Sequence, residues 1–431
     1  MPTFRIAALA SAAAASILAL GVVPAGADAG ADLGRATLPA NDGWASATTG
    51  TTGGSAADAD HVFTVSTRSQ LVAALGKTTN TAPKIILVRG TIDGNVDDAD
   101  EPLSCADYQR DGYTLAGYLA AYDPAVWGRT AEPSGPLEDA RVASQKTQAA
   151  RMQIKVSPNT TIIGLGRARM LGVNLLLDRV DNVIIRNLTF DNASDCFPQW
   201  DPTDTAVGNW NSEYDNISLT GATHVWVDHD TFTDAAFPDS AEPTYFDRPF
   251  QQHDGELDIT KASDLVTVEW SRFEQHDKTN LLGSSDNAPA DVGKLRITMH
   301  HNFYNGVQER APRVRYGQVE VYNNYYRVPA SPEYIYSWGV GVQSQLVAEH
   351  NALIMDRTVS PALVIHYWKG TAITARDNLV NFREVDLLAA FNAANPTTPL
   401  AGDVGWTPTL RTRIDPPQVL PLTVGLFAGA S

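Results

Sequence analysis

The chain has 431 residues, of which 43% are hydrophobic and 19% are charged, a globular composition that excludes wholesale disorder. Its 32 basic and 49 acidic residues give a formal net charge of −17, which disfavours binding to nucleic acid or anionic lipid. A polyanionic substrate stays compatible with this charge if a metal ion or a small basic cluster holds it locally.

The first residues have the pattern of an export signal. Arg5 precedes an alanine-rich apolar run, and Ala25, Gly26 and Ala27 supply the small residues of a cleavage site. We predict a secretory signal peptide at 1–27; the alternative, a membrane anchor, is disfavoured because the apolar run ends early. No later stretch of the sequence is apolar for long enough to span a bilayer, so we expect a secreted, extracellular protein with no membrane partner.

Two further regions follow the signal, and the second contains an insertion. Residues 28–60 are rich in Gly, Ala, Thr and Asp, which predicts a poorly ordered lead-in. The rest of the chain, 61–431, is expected to form one domain. Within it, apolar residues recur at helical spacing over 98–153, which predicts a helical N-terminal insertion or cap.

The chain has two cysteines, Cys105 and Cys196. In an exported protein such a pair favours a disulfide over a metal or catalytic site. The bridge would fasten the N-terminal region to the middle of the chain, although the sequence leaves open whether the two residues meet.

From about residue 154 onward, short β-branched runs recur and each ends at a polar pivot followed by an apolar or aromatic residue. Successive pivots are 22 to 43 residues apart, as in a solenoid whose longer coils carry inserted loops. The pivots are Asn187, Asp230, Ser271, Asn302, Asn324, Asn351 and Asn378.

These strands predict an all-β fold of the right-handed parallel β-helix type. A β-sandwich would need hairpin turns between neighbouring strands, and Asn-Gly and similar turns are largely missing. In a β-helix equivalent residues stack along the axis, so a column of Asn side chains can hydrogen-bond from coil to coil. The helical region 98–153 and the tail after Val385 are expected to cover the two ends.

Three aspartates in the centre of the chain form a candidate metal site. Asp215 lies at the start of a predicted strand, and Asp254 and Asp258 follow within the run HDGELD. Carboxylates from adjacent coils, without cysteine or a consistent histidine pattern, provide hard oxygen ligands, which suit Ca²⁺. The alternative is that each aspartate is simply solvated on an acidic protein.

Four of the basic residues that follow are candidate ligand-binding groups: Lys278, Arg310, Arg313 and Arg315. Strand alternation directs Arg313 and Arg315 to the same face. Beside a metal-binding acidic cluster, these cations favour a ligand that is itself a carboxylate chain. A structural ion pair is the alternative, and for Arg313 both interpretations stay open.

Several segments of the sequence resemble one family closely. HDGELDIT, VTVEWSRFEQHDK, ITMHHNFY and RAPRVRYGQVEVYNNYY resemble the pectate lyase family of the pectate/pectin lyase superfamily (polysaccharide lyase family 1), especially its secreted bacterial members. The likeness extends over roughly residues 85 to 408. The fold of that family is a right-handed parallel β-helix, in agreement with the repeat pattern.

The resemblance also implies roles for individual residues. Asp215, Asp254 and Asp258 match calcium ligands of the family, and Asp204 resembles a position that joins the ion when substrate is present. Arg310 matches the arginine that removes a proton from the substrate. Calcium is therefore the implied cofactor.

Lys278 and Arg315 match residues that bind substrate carboxylates. The implied reaction is β-elimination in α-1,4-linked polygalacturonate, which yields unsaturated oligogalacturonides and degrades pectin outside the cell. Because solenoids with capped ends are usually monomeric, we expect a monomer.

Three other functions fit parts of the pattern: a pectin lyase that acts on methyl-esterified polymer without calcium, a β-helical glycoside hydrolase with paired carboxylates, and a non-catalytic wall-binding β-helix. The first is disfavoured because neutral esters do not require the aspartate cluster. His300 and His301 invite a metal or acid–base interpretation, but their place just before a pivot Asn favours a structural role.

Overall fold

The computed structural model describes residues 32–331, 333–411 and 413–431. The predicted signal peptide lies outside these residues. Most strands belong to three parallel ladders that stack coil upon coil, and the chain forms a parallel β-helix.

The first sheet contains the longest strands, and the first halves of Lys84–Asp93 and Thr160–Leu171 belong to it. Its strands are Val62–Val65, Lys84–Asp93, Thr160–Leu171, Asp181–Arg186, Thr223–Asp228, Asp264–Glu269, Ile297–His300, Gln318–Tyr322, Gln345–Glu349 and Ile373–Arg376.

The second sheet begins with the second halves of the same two long strands. It continues through Thr189–Asp191, Thr231–Thr233, Arg272–Glu274, Phe303–Asn305, Tyr325–Val328, Ala352–Met355 and Leu379–Val380, and ends with the antiparallel strand Arg383–Glu384.

The third sheet carries the candidate metal and substrate residues. Its strands are Gln153–Lys155, Asn174–Asp178, Ile217–Thr220, Leu257–Thr260, Leu281–Leu282, Arg313–Val314, Trp338–Gly341 and Ile365–Trp368. Two antiparallel hairpins project from the coils and pair Gln199–Asp201 with Asn209–Asn211 and Thr244–Tyr245 with Arg248–Pro249.

The predicted polar ladder lies at the corner between the first and second sheets. The amide oxygen of Asn324 accepts a hydrogen bond from the backbone N–H of Asn302 at 2.8 Å, and Asn351 and Asn378 repeat this contact in the next coils. Asp230 and Ser271 continue the column. These six pivots are confirmed.

The prediction for Asn187 is wrong by one position. Thr189 pairs with Thr231, so the residue in register with Asp230 is Leu188. Asn187 instead has a φ of 55° and belongs to the column of left-handed residues that precedes the ladder, together with His229 and Trp270. Asn tolerates this conformation better than most residues, which is why it occurs at both positions.

Apolar side chains fill the interior of the coils. Ile185, Val227, Val268, Ile297 and Val321 are fully buried, as predicted. Aromatic rings also stack along the axis with centroids 4.8 to 5.2 Å apart, and the stack contains Phe190, Phe232, Phe273, Tyr304 and Tyr326. Parallel in-register strands place equivalent rings at this distance and so produce the stack.

The two ends of the interior are covered by helices. Helix Arg68–Leu75 starts at the Thr67 cap and contributes Leu71 and Leu75 to the core. At the other end, helix Leu387–Ala394 contributes Leu387 and Phe391, which confirms the expected cover after Val385. The last helix, Leu420–Phe427, packs on the outside of the second sheet.

The region 98–153 contains three helices, Cys105–Tyr108, Leu115–Tyr122 and Pro136–Met152, and forms an insertion. Their aromatic side chains pack beside the coils against Phe197, Trp200 and Trp210, not over the open end. Five short 3-10 segments complete the described elements: Trp44–Ser46, Ala59–His61, Asp239–Ala241, Pro289–Asp291 and Pro361–Leu363. None of the helices in the described ranges is both long and apolar enough to cross a bilayer.

Cys105 and Cys196 form a disulfide, with their Cα atoms 5.4 Å apart. The bridge joins the first helix of the insertion to the segment that precedes the hairpin Gln199–Asp201. It therefore fastens the insertion to the middle of the chain, as the sequence suggested.

The sequence predicted a poorly ordered lead-in over residues 28–60, but the described part of this segment packs on the β-helix. Residues 32–58, named the N-terminal strap below, lie along the outer face of the first sheet. The backbone N–H groups of Trp44, Ala45 and Gly54 donate to the hydroxyls of Thr298, Thr267 and Thr161. The glycines serve close approach: a Cβ on Gly54 would lie 1.9 Å from the carbonyl oxygen of Lys84.

Candidate active site

A large cleft lies against the outer face of the third sheet. Its volume is about 1140 Å³, and loops from several coils form its walls. Its lining includes Asp204, Trp210, Asp239, Arg248, Asp277, Lys278, Glu309, Arg310, Arg313, Arg327, His366 and Trp368.

Two of the predicted calcium ligands converge beside this cleft. Asp258 lies in strand Leu257–Thr260, and Asp215 precedes the neighbouring strand Ile217–Thr220. A Cβ built on Gly255 would lie 2.5 Å from Asp258 Oδ1 and 2.7 Å from Asp215 Oδ1, so both carboxylates point to the same backbone position. Only glycine leaves room for this arrangement.

Hydrogen bonds hold both carboxylates in place. Asp215 accepts the backbone N–H of Gly255 at 3.0 Å and the hydroxyl of Ser218 at 2.5 Å. Asp258 Oδ1 accepts the backbone N–H of Leu281 at 2.9 Å. The donors come from three successive coils, and the β-helix itself therefore fixes the pair.

The two carboxylates are buried with like charges nearby. Burial and the charge of Asp254 raise the pKa of Asp215 to about 7. Burial and the charges of Asp215 and Asp254 raise the pKa of Asp258 well above its ordinary value. A divalent cation between them would relieve both the repulsion and the loss of hydration.

Asp254, the third predicted ligand, lies beside Lys278 in this structure. Its Oδ1 is 3.6 Å from Lys278 Nζ, and its carbonyl oxygen accepts a hydrogen bond from His276 Nε2 at 2.7 Å. Among the described residues, Asp215, Asp254 and Asp258 do not bring one carboxylate oxygen each within 4.8 Å of the other two. Lys278 thus provides the positive charge closest to Asp254.

Successive coils bring the basic residues next to the acidic ones. Gly255, Lys278 and Glu309 form one column of parallel bridges. Arg310 follows Glu309 and donates from Nε to its carboxylate at 3.0 Å. The side chain of Arg310 is only 15% exposed. The acidic pair, the lysine and the arginine therefore lie on adjacent turns of one wall.

Arg310 carries a firmly held proton in this arrangement. Burial acts to lower the pKa of its guanidinium, but the negative charges of Glu309 and Asp254 outweigh burial and raise it above the ordinary value.

Arg315 and Arg313 point outward from the third sheet, as predicted, but have different surroundings. Arg315 donates to Asp286 Oδ1 and to the carbonyl oxygen of Gly283, both at 2.7 Å. Lys369 donates to the other oxygen of Asp286 at 2.8 Å. Arg315 is thus held at the side of the cleft, outside the residues that line it.

Arg313 lines the cleft, and the described residues give it no ion pair. Its guanidinium carbon lies 3.9 Å from the ring centroid of Trp368. Burial, followed by the charge of Arg315, lowers the pKa of Arg313 to about 10. The structure therefore favours a cleft residue over the ion-pair interpretation that the sequence left open.

Asp204 lies on another wall of the cleft, between the two strands of the hairpin that pairs Gln199–Asp201 with Asn209–Asn211. Its Oδ2 accepts a hydrogen bond from Asn209 Nδ2 at 2.9 Å. Arg248 donates to the same Asn209 side chain.

Sequence reasoning missed Arg248, Arg327, His366 and Trp368 as cleft residues. Arg248 belongs to a projecting hairpin and Arg327 to a strand of the second sheet, whereas His366 and Trp368 lie in the last strand of the third sheet. No local motif therefore connects these residues with the aspartates. The basic character of Arg248 and Arg327 was the only available signal.

Comparisons with known proteins identify the family of the chain. A sequence model of the pectate lyase family matches residues 132–399. The chain belongs to the pectate lyase family. It is an enzyme of the lyase class, and the resemblance read from the motifs is confirmed.

A pectate lyase of Bacillus subtilis (strain 168) is 48% identical over 405 residues, which cover 93% of this chain and 94% of that relative. A pectate lyase bound to hexasaccharide has a TM-score of 0.89 and 47% identity, with coverage of 93% and 99%. A structure described for the substrate specificity and anti β-elimination mechanism of pectate lyase has a TM-score of 0.88, 47% identity and the same coverage. The right-handed parallel β-helix is confirmed with them.

Proposed function

We propose that this lyase is an exported, calcium-dependent enzyme that cleaves α-1,4-linked polygalacturonate by β-elimination. Its apolar N-terminal run supports export, and the relative described for anti β-elimination supports the reaction type. The hexasaccharide held by another relative supports an oligosaccharide in the cleft. The covered ends of the solenoid support a monomer.

One observation carries the proposal: Asp215 and Asp258 converge over Gly255, with Lys278 and Arg310 on the next coils of the same wall. The donor set is entirely oxygen, and Ca²⁺ accepts carboxylates in loose geometry and completes its shell with water. Asp254 would join after turning from Lys278, and Asp204 would add an oxygen when substrate is present.

Bound calcium supplies a Lewis acid that withdraws charge from a uronate carboxylate and acidifies the hydrogen at C5. Lys278 is released from Asp254 and binds a neighbouring substrate carboxylate. Arg315 and Arg313, one beside the cleft and one in its lining, provide guanidinium groups for the carboxylates of adjoining sugars.

Arg310 then removes the C5 proton. The electron pair of the C5–H bond forms the C4–C5 double bond, and the bond from C4 to the glycosidic oxygen breaks, with a proton from solvent completing the leaving group. Since Asp254 and Asp258 help to hold Arg310 protonated, neutralising them with a cation makes its base form more accessible. Activity is therefore expected to rise toward alkaline pH.

The test is ultraviolet absorbance of the unsaturated product, measured on polygalacturonate while calcium is titrated against a chelator. We expect absorbance to grow only with free calcium and to be weaker on methyl-esterified polymer. Reducing ends without absorbance would indicate hydrolysis, and activity in excess chelator on the ester would indicate a pectin lyase.

A matched pair of glycine variants tests the calcium ligands. Gly255→Ala places a methyl group against Asp215 and Asp258, so we expect the calcium concentration for half-maximal activity to rise at least about tenfold. Gly425→Ala, in the last helix, is the control, because the nearest atom to its Cβ would be Tyr325 Cε1 at an ordinary contact distance of 3.6 Å. This variant should leave the calcium response unchanged. An unchanged response in Gly255→Ala would contradict the ligand assignment.

A further inference from the structure

A second cluster of possible ligands lies outside the cleft, where the N-terminal strap crosses the first sheet. It contains Asp42 from the strap and Glu269 and His300 from adjacent strands. His300 Nε2 is 3.1 Å from Glu269 Oε2 and 3.3 Å from Asp42 Oδ1. This site includes one of the two histidines that the sequence singled out.

The cluster is buried, and its histidine nitrogen is unsatisfied. The side chains of His300 and Glu269 are only 3% and 6% exposed, whereas that of Asp42 is 19% exposed. Among the described residues, Nε2 of His300 has no hydrogen-bond partner despite the two nearby oxygens. A buried donor or acceptor in this state is costly unless something else satisfies it.

Neighbouring groups orient the three ligand atoms. His301 Nε2 lies 3.5 Å from Asp415 Oδ2, which favours a proton on that nitrogen and leaves His301 Nδ1 as an acceptor. His300 Nδ1, at 2.8 Å, then donates to it and keeps its proton. Trp226 Nε1 donates to Glu269 Oε1 at 2.7 Å, so Glu269 Oε2 stays directed at His300.

The local charge also favours a cation. Asp228 pairs with Arg186, and Glu320 pairs with Arg411. Asp42 and Glu269, in contrast, form no ion pair with Lys or Arg among the described residues, and the imidazole of His300 is the one basic group that both contact. One divalent ion with a neutral imidazole balances two carboxylates, whereas a protonated imidazole balances only one.

We propose that Asp42, Glu269 and His300 form a second metal site for a divalent ion of the Zn²⁺ class. Ligands at about 2.0–2.1 Å from a tetrahedral ion lie about 3.3 Å from one another, close to the two separations observed here. A nitrogen and two oxygens suit such an ion, and the partly exposed side of Asp42 leaves the fourth position to water. The ion would fasten the N-terminal strap to two strands of the first sheet.

The test is calorimetric titration of Zn²⁺ into the mature protein with the cleft saturated by Ca²⁺. We expect one Zn²⁺ per chain and a higher unfolding temperature when Zn²⁺ is present. Glu269→Gln should weaken Zn²⁺ binding at least about tenfold and remove the temperature shift. Asp42→Asn, in the strap, should do the same and decides the question if Glu269→Gln fails to fold.

Asp377→Asn is the matched control, because Asp377 belongs to another group of possible ligands, with Glu349 and His350, and its side chain is exposed to solvent. Its Zn²⁺ affinity should equal that of the unmodified protein. The proposal fails if Zn²⁺ does not bind, or if binding and the temperature shift persist in both the Glu269 and the Asp42 variants.

Discussion

The surroundings of Arg310 bear on the order of events in the proposed reaction. Glu309 and Asp254 stabilise the protonated guanidinium, so the residue is a poor base while these carboxylates keep their full charge. A cation bound at Asp215, Asp254 and Asp258, as proposed above, would remove part of that field. The base is thus expected to form only in the calcium-loaded enzyme.

Arg310→Lys tests this role while keeping a positive charge. A lysine ammonium does not reproduce the planar guanidine or its bond to Glu309, so we expect turnover to fall by about 10²- to 10⁴-fold with circular dichroism unchanged. The control is Arg179→Lys, at an exposed arginine paired with Asp178, which should retain full turnover. Turnover of the Arg310 variant within a few-fold of the control would exclude it as the base.

Asp215 gives a prediction for stability against pH. Because its pKa is raised to about 7 in the folded protein, the calcium-free protein keeps this proton between about pH 4 and pH 7 while the unfolded chain loses it. The stabilising contribution is full below pH 4 and is lost as the pH rises through 7. Asp215→Asn, which never ionises, should therefore be more stable than the unmodified protein at pH 8 in chelator.

Calcium should reverse this order. If Asp215 binds the ion as proposed, asparagine would be a weaker ligand in its place, so the unmodified protein should have the higher unfolding temperature at pH 8. Thermal unfolding with calcium and with chelator measures both differences. The same sign in the two conditions would contradict either the burial of the charge or its role in calcium binding.

At the scale of elements, the polar ladder connects each coil to the next. Asn324 accepts the backbone N–H of Asn302 at 2.8 Å and donates to the carbonyl oxygen of Met299 at 2.9 Å, and it is completely buried. Asn324→Ala should therefore lower the free energy of unfolding by about 3 kcal/mol, because both backbone groups lose their partner. Urea unfolding measures this loss.

Asn287→Ala is the control, since Asn287 is exposed in a loop. Its effect should stay within about 0.5 kcal/mol. If the ladder variant were as stable as this control, water or a relaxed turn would have to replace the lost contacts, and the ladder would be dispensable.

The ladder was predictable because stacking repeats the same environment at each coil and the sequence repeats Asn with it. Asn187 shows the limit of this approach. Asn is favoured both in the ladder and in the left-handed position before it, so only the pairing of Thr189 with Thr231 distinguishes the two. Residue type alone did not fix the register.

The N-terminal strap shows a different limit. Its Gly- and Thr-rich composition is typical of poorly ordered segments, yet the same glycines let the backbone lie directly on the first sheet. The partners of Trp44 and Gly54, Thr298 and Thr161, lie more than a hundred residues away. Local composition does not reveal such contacts.

At the scale of the whole molecule, the cleft combines segments that the sequence keeps far apart. The acidic and basic residues on adjacent coils were found from their motifs, because the β-helix converts a separation of one coil into contact. The sequence left open whether Arg313 forms a structural ion pair or faces a ligand, and its contact with Trp368 across the cleft lining favours the second. Asp204 was placed by resemblance alone, since its hairpin projects from the coils.

The disulfide connects this projecting part to the rest of the molecule. Cys105 begins the helical insertion, and Cys196 precedes the hairpin that carries Asp204. Closing a loop of 91 residues restricts the unfolded chain, so replacing both cysteines with serine should lower the free energy of unfolding by about 3 kcal/mol in urea. Calcium dependence should be unchanged, because Asp215 and Asp258 are held by the third sheet.

Reduction of the disulfide in the unmodified protein is the control and should lower the free energy of unfolding by the same amount. If neither treatment moves the unfolding midpoint, the packing of Phe197, Trp200 and Trp210 suffices to hold the insertion in place.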